Sequence, residues 1–282
     1  MRRFSVATSF STGGLLLAAV FLGACDGGVG DQPSTPLADE LGGCGRLAKT
    51  VGPATWVDPK QTLSASCPLS PPNRTACLSG LSIVAIDKYD ETGDGKSSGN
   101  FYVEDTSADP LPYSGVTIFR PSFSPPDLRL AEGDVVDFLG TYQEFGGPST
   151  FKFPYCRTFP ELSGALTFRF DNNLPRTPKV IPLEDLKTYE TGRPHLGTLV
   201  KLIKPQLDAS GATSSGGRYA SGLEVGAIAN VADVPHLTNE LFDMKTLGPP
   251  MPPGATFKSI TGVVTYFGGF HIAPRSAADF EL

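Results

Sequence analysis

Two stretches of this chain repeat one pattern, and that pattern restricts the fold more than any other feature. Ile260-Thr-Gly-Val-Val-Thr-Tyr-Phe-Gly-Gly-Phe-His-Ile-Ala-Pro274 runs apolar and β-branched residues up to Gly268-Gly269 and away again. A Gly-Gly pair supplies the positive φ of a tight turn, so the stretch predicts a β-hairpin. Upstream, Val135-Val-Asp-Phe-Leu-Gly-Thr-Tyr-Gln-Glu-Phe-Gly-Gly147 gives the same order: β-run, Thr-Tyr, Phe-Gly-Gly. A repeated hairpin signal predicts two related β domains.

Punctuation along the chain agrees. Its 282 residues hold 32 Gly and 26 Pro, which favour short strands and turns over long helices. Hydrophobic residues make up 40% of it, enough for a packed core and against global disorder.

Residues 1–24 read as a signal peptide outside the fold. Arg2 and Arg3 form a basic start, and Leu15-Leu-Leu-Ala-Ala-Val-Phe-Leu22 is an apolar run too short for a comfortable membrane span. The tetrapeptide that follows, Leu22-Gly-Ala-Cys25, resembles the lipobox of bacterial lipoproteins. The resemblance implies cleavage before Cys25, diacylation of its sulfur, and a place in the bacterial cell envelope, exported and lipid-anchored. Acyl chains buried at about 0.8 kcal/mol per CH₂ make such an anchor effectively permanent. Asp26 next to the anchor resembles an inner-membrane retention signal of enteric bacteria, which leaves inner and outer membrane both open. Removing residues 1–24 takes away two arginines and no acid, moving the formal charge from −6 to −8. A protein that acidic is repelled by polyanions unless a local patch reverses the sign.

With Cys25 assigned to lipid, Cys44, Cys67, Cys77 and Cys156 remain. Four cysteines in an exported chain predict two disulfides, with three connectivities open. The favoured pairing is a local Cys67–Cys77 clip and a long-range Cys44–Cys156 staple. Zinc is disfavoured, because there is no C-x-x-C pair and the chain has 3 His.

Residues 25–43 are a Gly-, Pro-, Asp- and Ser-rich tether. A first domain is expected over 44–174, with 44–79 an irregular extension pinned onto it by disulfides. Its strands are Leu81–Ile86, Phe101–Asp105, Gly115–Phe119 and Val135–Tyr142, with a return through Thr150–Phe153 and a closing edge strand at Ala165–Phe170. Ser124-Pro-Pro-Asp127 fits a single helical turn. Asp171–Pro178 is polar and proline-broken, a boundary. The second domain, 175–282, opens near Val180. A short helix is expected over Pro182–Glu190, strands over Leu196–Ile203, Arg218–Val225 and Ala227–Val231, and a loop over Asp208–Gly217. Leu237, Leu241, Met244 and Leu247 recur at helical spacing, which predicts a helix over 236–247. The opening hairpin closes the domain.

The order in each unit is strand, long loop, two strands, helix or turn, hairpin. That is the order of a five-strand Greek-key barrel of the OB type. The fold class is therefore all-β, two tandem OB-like barrels. Gly262-Val-Val-Thr-Tyr-Phe-Gly-Gly-Phe-His-Ile-Ala-Pro-Arg-Ser-Ala-Ala-Asp-Phe280 resembles the end of the OB-like domains that accompany bacterial extracellular nucleases. Leu130–Tyr142 resembles the fourth strand of the same domains. The nucleases' catalytic modules have no counterpart, since both units are used up by the barrels.

No motif names an activity. Asp90, Thr92, Asp94 and Gly95 occupy the first, third, fifth and sixth places of a calcium loop, but Phe101 stands where a bidentate Glu is required. Asp90 and Asp94 thus form a partial calcium site at most, and no other cofactor is indicated. Gly95-Lys-Ser-Ser-Gly99 matches G-x-S-x-G in a loop with no helix after it, so it is not a nucleophile elbow. His271 sits on the last expected strand without a visible catalytic partner. OB barrels bind ligands on strands two and three and on the loops after strands one and four. That rule selects Tyr102, Phe119 and Arg120 with the Glu144–Pro148 loop in the first unit, and Arg218, Tyr219 and the Gly268-Gly269 turn in the second. Aromatics beside arginine suit stacking on bases or sugars. Against polyanions, residues 78–171 hold 14 acids and 7 bases, and residues 176–282 hold 10 of each. The expectation is a non-enzymatic, membrane-anchored binding or envelope-scaffold module whose partner is an envelope protein or glycan. The alternatives are a nucleic-acid-binding accessory and an extracellular hydrolase.

Overall fold

A computed structural model describes residues 50–51, 74–106, 112–121, 129–154, 157–215, 218–225 and 234–282, all within one compact unit, Ser34–Leu282. Cys25, Cys44, Cys67, Cys156, the tether and the expected elements at Ser124–Asp127 and Ala227–Val231 lie outside the described residues. Cys77 is buried and disulfide-bonded.

The first barrel is closed. β1 (Thr50–Val51) lies parallel on β2 (Arg74–Ile86), which pairs antiparallel with β3 (Phe101–Asp105), and β3 with β4 (Gly115–Phe119). β4 runs parallel to β6 (Phe159–Asn173), β6 antiparallel to β5 (Asp134–Phe145), and β5 returns to β2. Five strands thus close in the OB order. Leu78, Leu81, Ile83, Val103, Ile118, Val136, Phe138 and Leu162 fill the interior.

Three local expectations are corrected. β2 begins at Arg74, inside the segment read as an irregular extension. Gly80 takes φ 64° and the β2–β5 register shifts between Leu78 and Leu81, so the strand carries a bulge just before the expected start at Leu81. Thr150–Phe153 forms no strand. Instead β6 starts at Phe159, runs through Asn173, and is flanked by β4 and β5 rather than lying at an edge.

The second sheet uses the same order. β7 (Lys179–Ile181) lies parallel on β8 (Leu199–Ile203), which pairs antiparallel with β12 (Ser259–Tyr266). β12 forms the expected hairpin with β13 (Phe270–Ala273), turning at Gly268 with φ 77°. β13 is parallel to β11 (His236–Thr238), β11 antiparallel to β10 (Arg218–Gly222), and β10 to β9 (Thr213–Ser215). β14 (Phe280–Glu281) pairs with the start of β12. Among the described residues, the segments that follow β8 and β10 meet in one bridge, Leu207↔Leu223. The expected helix over Pro182–Glu190 is a 3₁₀ turn at Leu183–Lys187 followed by α1 (Tyr189–Gly192). The helix expected over 236–247 is reduced to α2 (Met244–Leu247), and Leu247 is exposed. His236-Leu237-Thr238 joins β13 instead, because Leu237 fits a helical or a strand period equally well and the open flank of β13 decides between them.

The barrels pack on each other closely. An ideal Cβ on Gly115 would lie 2.5 Å from the Gly197 carbonyl carbon. The Tyr113 N–H donates to Pro194 O at 2.8 Å. Arg193 of the second barrel forks onto Glu144 of the first, Nη2 to Oε1 at 2.7 Å and Nη1 to Oε2 at 3.1 Å. The Thr158 hydroxyl also donates to Glu144, and the Tyr189 hydroxyl donates to the Thr158 carbonyl. Arg193 is desolvated, which alone would lower its pKa, but Glu144 outweighs this and fixes the guanidinium as charged. Apolar packing is also continuous: Val84, Ala85, Tyr102, Phe153 and Phe159 of the first barrel belong to the core of the second.

Candidate functional site

A cleft of about 520 Å³ opens between the two barrels. On the first barrel its wall comes from the β2–β3 loop, from Tyr102 on β3, from Phe119 and Arg120 at the end of β4, and from Phe145, Phe159 and Glu161 beside the β5–β6 loop. On the second it comes from Arg218 and Ala220 on β10, His236 and Thr238 on β11, Asn239, Glu240, the Thr265–Phe267 end of β12, and His271 on β13. These are the second and third strands and the hairpin loop of each barrel. The two ligand-binding faces of the OB fold therefore confront each other across one space.

The β2–β3 loop is tied by the Asp87 N–H donating to Asn100 O at 2.9 Å. Asp87 accepts the Ser98 hydroxyl through Oδ2, and the Tyr89 and Ser98 N–H groups also favour its charged form. Burial holds the Asp87 carboxyl above the ordinary range against the Ser98 bond. Tyr102 donates its hydroxyl across the barrels to Glu240, which also accepts the Thr265 hydroxyl at 2.8 Å. Burial raises Glu240 despite both donors. Glu161 accepts from Gln143 and is pushed up to about 7 by burial. His236 and His271 sit at one register position of parallel strands, with ring centroids 6.0 Å apart. Burial, then His236, then Arg218 bring His271 down to about 3, so the pair is neutral at physiological pH. Arg218 reaches across to Glu91 at 3.0 Å and lies 5.0 Å over the Phe267 ring. Arg120, held at φ 43°, covers Phe119 at 5.3 Å.

Of the residues selected from sequence, Tyr102, Phe119, Arg120 and Arg218 come together in this cleft. Tyr219 does not. Neighbours on a strand point to opposite faces, so with Arg218 facing the cleft Tyr219 packs against the second core. Glu144 is taken by Arg193, and Phe267 rather than the two glycines represents the hairpin turn. Asp94 is on the cleft wall, with Oδ1 accepting the Lys96 N–H. Asp90 is turned into its own loop, accepting N–H groups from Gly93, Asp94 and Gly95. Desolvation pushes Asp90 up, but the N–H donors of Gly95, Asp94 and Gly93 together prevail and hold it low. Among the described residues no cluster of three or more His, Cys, Asp or Glu is placed to hold a metal ion. Gly95–Gly99 is loop with no helix after it, as expected, exposed through Ser97 and half-buried at Ser98 and Gly99.

Sequence reasoning missed Asp87, Glu161, His236, Thr238 and Glu240. Asp87 carried a signal, as the first acid of the most polar stretch. His236, Thr238 and Glu240 alternate along one short stretch, a strand period concealed by the helical reading of 236–247, while Glu161 belongs to a segment far upstream. Comparison of the chain with protein-family models, with curated proteins and with solved structures gives no match.

Proposed function

We propose that this protein is a non-enzymatic binding module that takes its ligand in the cleft between the barrels, held at a bacterial membrane by an acylated Cys25. The observation that carries the first half is the confrontation of both OB ligand faces across one cleft. The anchor rests on the Leu22–Cys25 tetrapeptide alone. Barrels bolted through Arg193 and Glu144 present a preformed site, which lowers the ordering cost of binding. Protein-detected NMR of the isotope-labelled chain, titrated with a small-molecule fragment library, tests the binding reading. Expected are shifts centred on Tyr102, Phe119 and His271; shifts confined to the outer faces would sink it. Metabolic labelling with a palmitate analogue tests the anchor, which requires loss of label in Cys25→Ser.

A nucleic-acid accessory is the second reading, favoured by the arginine–aromatic pairs Arg120/Phe119 and Arg218/Phe267. The wall opposes it with five acids, Asp87, Glu91, Asp94, Glu161 and Glu240, against three cations, Lys96, Arg120 and Arg218. Salt-sensitive retention on an oligonucleotide column would restore it.

A further inference from the structure

We infer that the β2–β3 loop, Lys88–Asn100, is a lid over the cleft, latched to the second barrel by the Glu91–Arg218 ion pair. Most of the cleft wall belongs to paired strands and the residues at their ends. This part does not. Tyr89, Glu91, Thr92, Asp94, Lys96 and Ser97 line the cleft, yet no residue from Lys88 to Asn100 is buried. An element that buries so little is held weakly and opens at the low end of the stability scale.

Internal bonds make the loop a body that moves whole. Asp90 gathers the N–H groups of Gly93, Asp94 and Gly95, and Asp94 takes that of Lys96. The tip therefore holds its shape without help from either barrel. At the base, the Asp87 N–H donates to Asn100 O at 2.9 Å, and the Asp87 carboxylate accepts the Ser98 hydroxyl. Those bonds define a narrow neck. Gly99 sits in it with φ +67°, and a Cβ there would meet nothing within 4 Å. A glycine in open space is free to turn, which makes the neck a hinge.

Across the cleft, Glu91 Oε1 lies 3.0 Å from Arg218 Nη2, the one ion pair between this loop and the second barrel among the described residues. Both side chains keep contact with solvent, Arg218 at 49% and Glu91 at 24% exposure. An ion pair in that setting is screened by salt and adds little stability, which suits a latch. The buried Arg193–Glu144 pair is the bolt that joins the barrels themselves. Arg218 is also held by Phe267, 5.0 Å from its guanidinium, so the cation stays in place when Glu91 leaves. Opening uncovers His236 and His271, which share the opposite wall with Arg218. Gating of ligand entry by this lid rests on the binding-module reading; the motion of the lid does not.

The test is carbethoxylation of histidine on the purified full chain without ligand, read site by site by mass spectrometry at about pH 7.5, where imidazoles are mostly neutral. The chain has 3 His: His236 and His271 on the cleft wall, and His195, outside that wall and buried beside Asp185, as internal reference. Expected in Glu91→Gln is labelling of His236 and His271 about two- to fivefold faster than in wild type at low salt, with His195 unchanged. About 1 M NaCl, which shortens the Debye length to about 3 Å, should bring wild type up to the rate of the variant and leave the variant where it was. Asp94→Asn removes the same charge from the same loop without touching Arg218, and should label as wild type does. Equal rates in wild type and Glu91→Gln overturn the latch. So does acceleration of all three histidines together, or an equal gain in Asp94→Asn, since either means general loosening. No ligand enters this experiment, so its failure leaves the binding module standing, and failure of the NMR titration leaves the lid standing.

Discussion

The two barrels share a strand order and differ in how they close. In the first, β2 and β5 pair from Arg74↔Tyr142 to Ser82↔Val135, and strands of 13, 12 and 15 residues carry the ladder. In the second, closure rests on the Leu207↔Leu223 bridge, flanked by the Asp208 N–H donating to Gly222 O and the Glu224 N–H to Gln206 O. What the second lacks in ladder it makes up in rings. Tyr189, Tyr266 and Phe270 pack mutually inside it, and Phe153 arrives from the first barrel to sit 5.2 Å from Tyr266. A barrel with a weak seam thus shares its core with its neighbour. The cleft lies where that sharing happens.

The hardest test of this dependence is Arg193→Met. It leaves the Glu144 side chain, which is 0% exposed, without its guanidinium. Stranding a buried charge costs about 3–5 kcal/mol, a fall in Tm on the order of 10 °C. Adding Glu144→Gln should recover more than half. A fall of only a degree or two would mean the barrels are not bolted there.

Glu104 offers the next test, through pH. It is fully buried on β3, accepts the Leu199 N–H of the second barrel at 3.3 Å, and is raised to about 7 by burial. A carboxyl whose pKa is higher folded than unfolded binds its proton more tightly in the folded state. Stability is therefore greatest below the ordinary Glu range and declines as pH rises toward about 7. Glu104→Gln removes the cost of ionisation. Urea melts should show the variant gaining up to about 3 kcal/mol over wild type at pH 8 and almost nothing at pH 4. An equal gain at both would place the effect in packing. Glu161, shifted the same way, keeps part of the pH slope in the variant.

Gly197→Ala probes the backbone contact. Gly197 has φ +75°, and an added Cβ would stand 2.7 Å from Val116 N across the interface. Gly254 has φ +70° with nothing closer than 3.8 Å. Gly254→Ala should lose about 1 kcal/mol from the backbone alone, and Gly197→Ala about 2–3 kcal/mol from backbone plus clash. Equal losses would show that the barrels yield freely at this seam.

The smallest effect is read by hydrogen exchange. The amides of Asp208 and Glu224, at the seam of the second barrel, should exchange before the β2–β5 ladder amides of the first. Equal protection would erase the contrast.

Local pattern made much of the fold legible. Phe101–Asp105 and Gly115–Phe119 are strands as expected, each buried over its first four residues, and Thr265-Tyr266 with Gly268-Gly269 turns back on itself. Those signals are carried by neighbours in sequence. Where they failed, the deciding partner was remote. Leu237 suited a helix until β13 offered an open flank, and the end of the expected irregular extension became strand once paired with β5. The cleft was half visible, since Tyr102, Phe119, Arg120 and Arg218 sit where a rule about OB strands puts them. Tyr219 failed because adding one residue to a strand reverses the face.

Local pattern was enough for the β class, the strand order and the hairpin that ends the second unit, because alternation and turn chemistry act over a few residues. What needed the folded molecule is that the second and third strands of both barrels line one cleft and that Tyr102 reaches Glu240. Those relations depend on how two closed surfaces dock, and docking is set by long-range contacts such as Arg193 on Glu144 and Gly197 on Gly115, for which no local pattern exists.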